Sequence, residues 1–236
     1  MDPYGHAILD CFHGDTTATV AVHRDDGFIS PLPAGVFLRT EEKFSPIERT
    51  AVDLCRGRIL DIGAGAGCHS LALQKRGLKV LAIDISPQAI EILSARGVAE
   101  TRLIDVFDLH EGGFDTLLMM LHGIGMVETL PGLDRFLLHA RTLIAPGGQL
   151  VFDSLDVRHT DNPQHLAYQE ANRKAGRYFG EIRMQFEYKG QKGPLVGWLH
   201  VDSETLKEHA GKAGWKAQVF TQQQDGNYLA QLTSQG

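Results

Sequence analysis

The first stretch with evident chemistry is Asp61-Ile62-Gly63-Ala64-Gly65-Ala66-Gly67. Glycine has no Cβ, so the main chain there can turn sharply and pass close to a ligand. Farther on, Asp84 closes the apolar run Lys79-Val80-Leu81-Ala82-Ile83. A carboxylate in that place can accept hydrogen bonds from both hydroxyls of a ribose. Loop and carboxylate together describe a site for an adenosine-containing ligand. The dinucleotide fingerprint spaces its glycines at positions one, three and six. Counted from Gly63, the sixth position is Cys68, and the glycines fall at one, three and five. A pyrophosphate needs a helix N-terminus presented closely and without obstruction. An adenosine ligand without phosphate is free of that constraint.

Strand and helix signals alternate around these residues. Arg58-Ile59-Leu60-Asp61-Ile62 reads as a buried strand, followed by a helix from Cys68 to Arg76 that stops at Gly77. Lys79–Ile83 is the second strand, and Ser86-Pro87 caps a helix reaching Arg96. Arg102-Leu103-Ile104 is a weak third strand and Phe114–Met120 a strong fourth. Leu133, Phe136, Leu137, Ala140, Leu143 and Ile144 trace one helical stripe, and Pro146-Gly147-Gly148 turns into a fifth strand, Gln149–Asp153. Two late strands near Trp215–Thr221 and Tyr228–Leu232 are expected to be the sixth and seventh. The pattern predicts an α/β, doubly wound, mostly parallel seven-stranded sheet. Ligands in such sheets bind beyond the carboxyl ends of the strands.

Residues 1–56 read as a lead-in packing on the core: a short helix, a hairpin turning at Asp25-Asp26-Gly27, and a helix opened by the capping box Ser45-Pro46-Ile47-Glu48. Residues 57–236 read as the ligand-binding domain, with an insertion at 155–201. In that insertion Tyr178, Ile182, Met184, Phe186 and Tyr188 alternate with polar residues, predicting a hairpin over Tyr178–Val201 with its turn at 189–194.

The 236 residues carry a formal net charge of −6, with 43% apolar and 22% charged residues, and no basic run fits a nucleic-acid surface. Cys11, Cys55 and Cys68 have neither disulfide nor metal-site spacing. No signal peptide or membrane-length apolar run of ~18 residues is visible, so the expected location is cytoplasmic. The scattered Asp153, Asp156, Asp161 and Asn162 lack cation-ligand spacing, and no metal is expected.

Ile59–Gly67, Asp84, Asp105 and the run Phe114–Asp153 resemble the class I S-adenosylmethionine-dependent methyltransferases over roughly residues 57–154. The resemblance implies a Rossmann-like methyltransferase fold and S-adenosyl-L-methionine as cofactor, with S-adenosyl-L-homocysteine as product. It places Asp61 near the methionine ammonium. Gly63, Ala64, Gly65 and Gly67 would line the methionine and ribose. Asp84 would bind the ribose hydroxyls and Ile85 would lie against the adenine. Asp105 would reach the adenine amino group, with the Val106 amide beside it. Met120 and Leu121 would meet the methionine end with their carbonyls.

Methyl transfer is an in-line displacement at a sulfonium methyl, so holding the acceptor behind the C–S bond does much of the work. A protonated oxygen or nitrogen acceptor also needs a base. His122, in Leu121-His122-Gly123-Ile124-Gly125 just past the fourth strand, is the first candidate. His159, Asp156, Glu128 and Tyr178 are weaker ones, and His69 reads as local structure. The chain lacks an Asn/Asp-Pro-Pro-aromatic motif after the fourth strand, the mark of planar-amino methylation in related enzymes. The expected acceptor is an oxygen, nitrogen or carbon of a small molecule. Alternatives are a protein side chain, an NAD-dependent oxidoreductase, or a non-catalytic cofactor-binding module. The Tyr178–Val201 hairpin is expected to cover the active site together with the lead-in; the rival readings are a dimer interface or a plain extension of the sheet.

Overall fold

A computed structural model describes residues 2–234. The chain runs α1 (Pro3–Phe12), β1 (Thr19–Arg24), β2 (Ile29–Pro33), α2 (Pro46–Leu54), β3 (Arg58–Ile62), α3 (Cys68–Lys75), β4 (Lys79–Asp84), α4 (Pro87–Ala95), β5 (Glu100–Leu103), β6 (Phe114–Met119), α5 (Leu130–Leu143), β7 (Ile144–Leu155), α6 (Pro163–Lys174), β8 (Glu181–Tyr188), β9 (Gln191–Leu199), α7 (Ser203–Lys212), β10 (Trp215–Gln222) and β11 (Asn227–Ser234).

Seven strands form one sheet in the order β10-β11-β7-β6-β3-β4-β5. The pairs β3–β4, β3–β6, β4–β5 and β6–β7 are parallel, and β11 pairs antiparallel with both β7 and β10. The order reverses direction between β4 and β6 at β3, which makes the β3 carboxyl end the switch point where a ligand crevice opens. Successive strand residues face opposite sides. Leu60 and Ile62 therefore join a core with Leu133, Phe136, Leu137 and Ala140 of α5 and Leu206 and Ala210 of α7. Ile59 joins a second core with Ile47, Ala51 and Val52 of α2 and Ala72 and Leu73 of α3. The capping box behaves as the sequence predicts: Ser45 Oγ accepts from Glu48 N, and Glu48 Oε2 accepts from Ser45 N.

A second, four-stranded antiparallel sheet has the order β2-β1-β8-β9. It joins the lead-in hairpin to the insertion hairpin, through pairs such as Val22 with Phe186. The insertion hairpin is tighter than expected. Its strands begin at Glu181 rather than Tyr178, and Lys189-Gly190, both at positive φ, make the turn. Gln191–Pro194 are strand, not loop. Pro194 fits because β9 is an edge strand, where a missing N–H leaves no ladder bond unmade. Helix α6, which the hydrophobic pattern did not announce, braces this sheet. Tyr168 Oη donates to Asp25 Oδ1 at 2.7 Å, and Asn172 Nδ2 donates to the Glu181 carbonyl at 2.7 Å. Other shifts are small: β5 starts at Glu100, and β7 runs from Ile144 to Leu155, longer than the expected Gln149–Asp153. Among the described residues, no helix is long and apolar enough to cross a membrane.

Candidate cofactor and active site

The β3–α3 loop turns through Gly63, Gly65 and Gly67, with φ of 68°, 55° and 79°. L-residues with a Cβ rarely adopt such values. At Gly67 packing adds a second reason, since a Cβ would stand 2.6 Å from Leu93 Cδ2. At Gly65 a Cβ would meet nothing within 4 Å, so the loop faces open space there. The loop is tied to β4, because the N–H groups of Gly63 and Ala64 both reach the Ile83 carbonyl, at 2.9 and 3.1 Å.

Asp84, at the end of β4, bridges two backbone donors. Gly65 N donates to Oδ2 at 2.9 Å and Ser86 N to Oδ1 at 2.9 Å. Each carboxylate oxygen keeps a further lone pair. Burial pushes the Asp84 carboxyl up, and these backbone donors pull against it. Ile85 follows with 74% of its surface exposed, an apolar face beside the loop. Asp61 is buried and accepts from Ser70 Oγ at 2.5 Å. Its carboxyl is raised by burial, against the pull of His69 and Ser70. Asp105 is exposed and caps the turn at Val106–Asp108, accepting from Phe107 N at 2.9 Å. Val106 is buried, and its carbonyl accepts from His139 Nε2 at 2.8 Å.

These features fit S-adenosylmethionine. Asp61 offers a buried carboxylate for an ammonium, Gly65 leaves clearance for a ligand, Asp84 retains acceptor capacity for a diol, and Ile85 presents an open apolar surface for a base.

Past β6 the chain takes a rare course. Leu121 and His122 both have φ of 60°, a left-handed conformation that costs non-glycine residues about 1–2 kcal/mol each. Asp153, from the carboxyl end of β7, holds this bend. His122 N donates to both of its oxygens at 3.1 Å. The imidazole is engaged as well. Nε2 lies 2.8 Å from Asn227 Oδ1 on β11 and 3.5 Å from Asp153 Oδ2. Because an amide oxygen only accepts, Nε2 carries a proton in this contact, and the neutral form of the ring then has its lone pair on Nδ1. Burial pushes the Asp153 carboxyl up, opposed by the charge and backbone N–H of His122. Met120 is buried, and its carbonyl accepts from Gly123 N at 3.2 Å.

His200, just past β9, was not among the residues the sequence singled out. Its ring meets that of His122 edge-on at 5.4 Å. Burial lowers its pKa to about 3, with the neighbouring His122 adding to the shift. Its Nδ1 is shut off from water and has no hydrogen-bond partner. No local pattern marks this residue; only the pairing of the insertion hairpin brings it to His122. Trp198 is another arrival from β9, and it packs so tightly on Gly125 that a Cβ there would meet the indole at 2.0 Å.

The weaker candidates are otherwise engaged. Tyr178 Oη donates to Asp202 Oδ2 at 2.6 Å, and Asp156 is held by Arg158 at 2.7 Å. His159 Nδ1 lies 3.2 Å from the Gln224 carbonyl. Glu128 packs against Gly197 and lines a separate 280 Å³ cavity with Thr129, Arg177 and Glu181. His69 is a tertiary link rather than local structure. Its Nε2 lies 2.9 Å from Glu48 Oε1 on α2, and Arg39 binds the same oxygen. Burial opposes charge on His69, yet its Cys68 and Glu48 neighbours raise it to about 10. Burial likewise opposes ionisation of Glu48, but hydrogen bonds from His69, Ser45 and Arg39 hold it at about 2.

Comparison with known proteins gives a consistent picture. A methyltransferase domain family matches residues 38–218. A crystal structure of an S-adenosylmethionine-dependent methyltransferase from Bacteroides fragilis, in complex with S-adenosyl-L-homocysteine, is 33% identical. The match covers 99% of this chain and 94% of that one, with a TM-score of 0.86. A ubiquinone biosynthesis O-methyltransferase of Xanthomonas oryzae is 29% identical over 113 residues, 44% of this chain and 46% of the relative. A release factor glutamine methyltransferase of Koribacter versatilis is 30% identical over 138 residues, 53% of this chain and 49% of the relative. The chain thus spans about half the length of the curated relatives it matches.

Proposed function

Because this chain belongs to the class I S-adenosylmethionine-dependent methyltransferases, we propose that it methylates a hydroxyl oxygen of a small molecule, with His122 as the base. Its cofactor is S-adenosyl-L-methionine, and the dinucleotide reading gives way to that finding. When bound, the cofactor supplies a methyl group already activated by a sulfonium charge.

The observation that carries the proposal is the setting of His122. Asn227 and Asp153 keep the proton on Nε2, so Nδ1 takes the proton of the acceptor hydroxyl. The imidazolium that results has the Asp153 carboxylate 3.5 Å away. Asp153 also holds the left-handed bend that presents the ring. His200, just past β9, lies against His122, and Trp198 of β9 packs on Gly125 three residues farther along the same loop, adding one polar and one aromatic surface.

Oxygen is favoured over a planar amide or amino nitrogen for two reasons. The bend reads Met120-Leu121-His122-Gly123, without the Asn/Asp-Pro-Pro-aromatic motif. The Xanthomonas relatives are named as O-methyltransferases. We read residues 57–236 as the cofactor-binding domain, with residues 1–56 and the insertion at 155–201 forming a cap over the acceptor.

The test is a transfer assay with methyl-labelled S-adenosylmethionine against a panel of small phenols, hydroxy acids and amines, with products identified by mass spectrometry. Methyl ethers are expected. Label found only on nitrogen, or only on protein, overturns the assignment.

A further inference from the structure

Helix α1 comes from the lead-in, yet its first turn packs on the β4–α4 turn that carries Asp84, Ile85 and Ser86. The approach is close. A Cβ on Gly5 would stand 2.4 Å from Ser86 Oγ and 2.2 Å from Asp2 Oδ2. Asp2 Oδ1 caps the helix, accepting from Gly5 N at 2.8 Å. Asp2 Oδ2 is shut off from water and has no hydrogen-bond partner. Leaving such an oxygen unpaired is costly. Asp84 lies within electrostatic reach. Its carboxyl is raised first by burial and further by the charge of Asp2. Tyr4 belongs to the same group. Its phenol is pushed well up by burial, then by Asp84 and Asp2. Its ring is lodged against Phe37 at 5.1 Å and Phe186 of β8 at 5.6 Å. Asp2 Oδ2 and Ser86 Oγ thus crowd the same side of Gly5, beside the turn that carries Asp84, and no donor from the protein satisfies the free oxygen of Asp2. The ligand chemistry that answers acceptors on two neighbouring carboxylates is a vicinal diol, with one donor for each.

We propose that α1 is part of the cofactor site: Asp2 accepts a hydrogen bond from the ribose diol opposite Asp84, Tyr4 borders the same sugar, and the helix must lift from Ser86 to admit and release the cofactor. The inference rests on the cofactor and not on the methyl acceptor. Its consequence is a link between the two halves of the molecule. The far end of α1 is anchored to the cap sheet, where Asp10 Oδ2 receives Tyr188 Oη at 2.9 Å and Lys189 Nζ at 2.7 Å. Ala7 and Ile8 of α1 are packed with Val20 and Tyr188 of that sheet. Cofactor binding and cap closure then share one element.

The experiment is calorimetric titration of S-adenosylhomocysteine and its 2′-deoxy and 3′-deoxy analogues into the full chain, with Asp2→Asn, Tyr4→Phe and Gly5→Ala. Amide exchange of residues 3–12 is followed with and without ligand. Asp2→Asn should weaken the parent ligand about tenfold, as loss of a charge-assisted hydrogen bond does. One of the deoxy analogues should be nearly insensitive to that substitution. Gly5→Ala should weaken binding by separating α1 from Ser86. Exchange in α1 should slow when ligand binds. Melting of the ligand-free variants checks that they fold. Wild-type affinity in Asp2→Asn, with α1 exchange unaltered by ligand, overturns the proposal. Failure of the wild-type chain to bind any of the three ligands would instead remove the cofactor assignment on which the proposal stands.

Discussion

The proposed cofactor side of the site draws Asp61, the glycine loop and Asp84 from two adjacent parallel strands, β3 and β4. On the proposed acceptor side, His122 follows β6, Asp153 lies near the end of β7, His200 follows β9 and Asn227 opens β11, elements scattered along the chain. The first arrangement is a property of local backbone. Each glycine adopts its own permitted φ, and Asp84 needs only the loop beside it. The second depends on antiparallel closure of β11 on β7 and on the pairing of β8 with β1. A family can keep the first unchanged while substitutions and insertions remodel the second, because functional loops vary on a rigid scaffold.

The two sides should separate most sharply under substitution of His122. His122→Asn is expected to lower kcat by about 10²- to 10⁴-fold, the usual range for losing a general base. Calorimetry should find S-adenosylhomocysteine affinity unaltered. A parallel fall in cofactor affinity would erase the division.

Glu48 tests whether the scaffold beneath the glycine loop is independent of both sides. Glu48→Gln leaves His69 charged and buried without its partner, which should cost about 3–5 kcal/mol in urea unfolding. The same pair sets a pH window. Glu48 is held at about 2 from an ordinary 4.5, so its contribution is complete above 4.5 and fades as pH falls toward 2. His69 is raised to about 10 from 6.5, so its contribution is complete below 6.5 and fades as pH rises toward 10. The stabilisation from the pair should therefore be greatest between these limits. A Glu48→Gln protein whose pH–stability curve matches wild type would show that the pair is inert.

The mirror image of the His122 experiment is Asp84→Ala. It should weaken S-adenosylhomocysteine by about 100-fold, as expected for two charge-assisted hydrogen bonds with partial compensation by water. Thermal stabilisation by the ligand should shrink accordingly. The smallest effect is expected at His200. A neutral, half-buried imidazole beside the proposed base should influence acceptor binding more than turnover, so His200→Phe is expected to raise KM about tenfold with kcat nearly constant. A kcat loss as large as that of His122→Asn would move His200 into the proton-transfer step.

Much of this was legible in the chain. The strand-to-glycine transition at Ile62-Gly63, the Ser45–Glu48 capping box and the strand carrying Asp84 are local patterns, and each local choice agrees with the fold. The base candidate His122 was found because it follows a strong strand. Helix α6 was obscured because its apolar residues are few: it packs through Tyr168, Gln169 and Asn172, whose hydrogen bonds no periodicity records. His69 looked local because it adjoins the loop, whereas its partner Glu48 lies on another helix.

The sequence by itself determined the alternating strands and helices, the turn of the glycine loop and the carboxylate at Asp84, since these depend on φ preferences and on neighbours close along the chain. Only the tertiary structure decided that lead-in and insertion share one sheet and that His200 faces His122. It alone set the first turn of α1 against Ser86, in the turn that carries Asp84. The physical reason is that such meetings depend on strand register and helix packing between distant segments, and no single segment encodes the partner it will find.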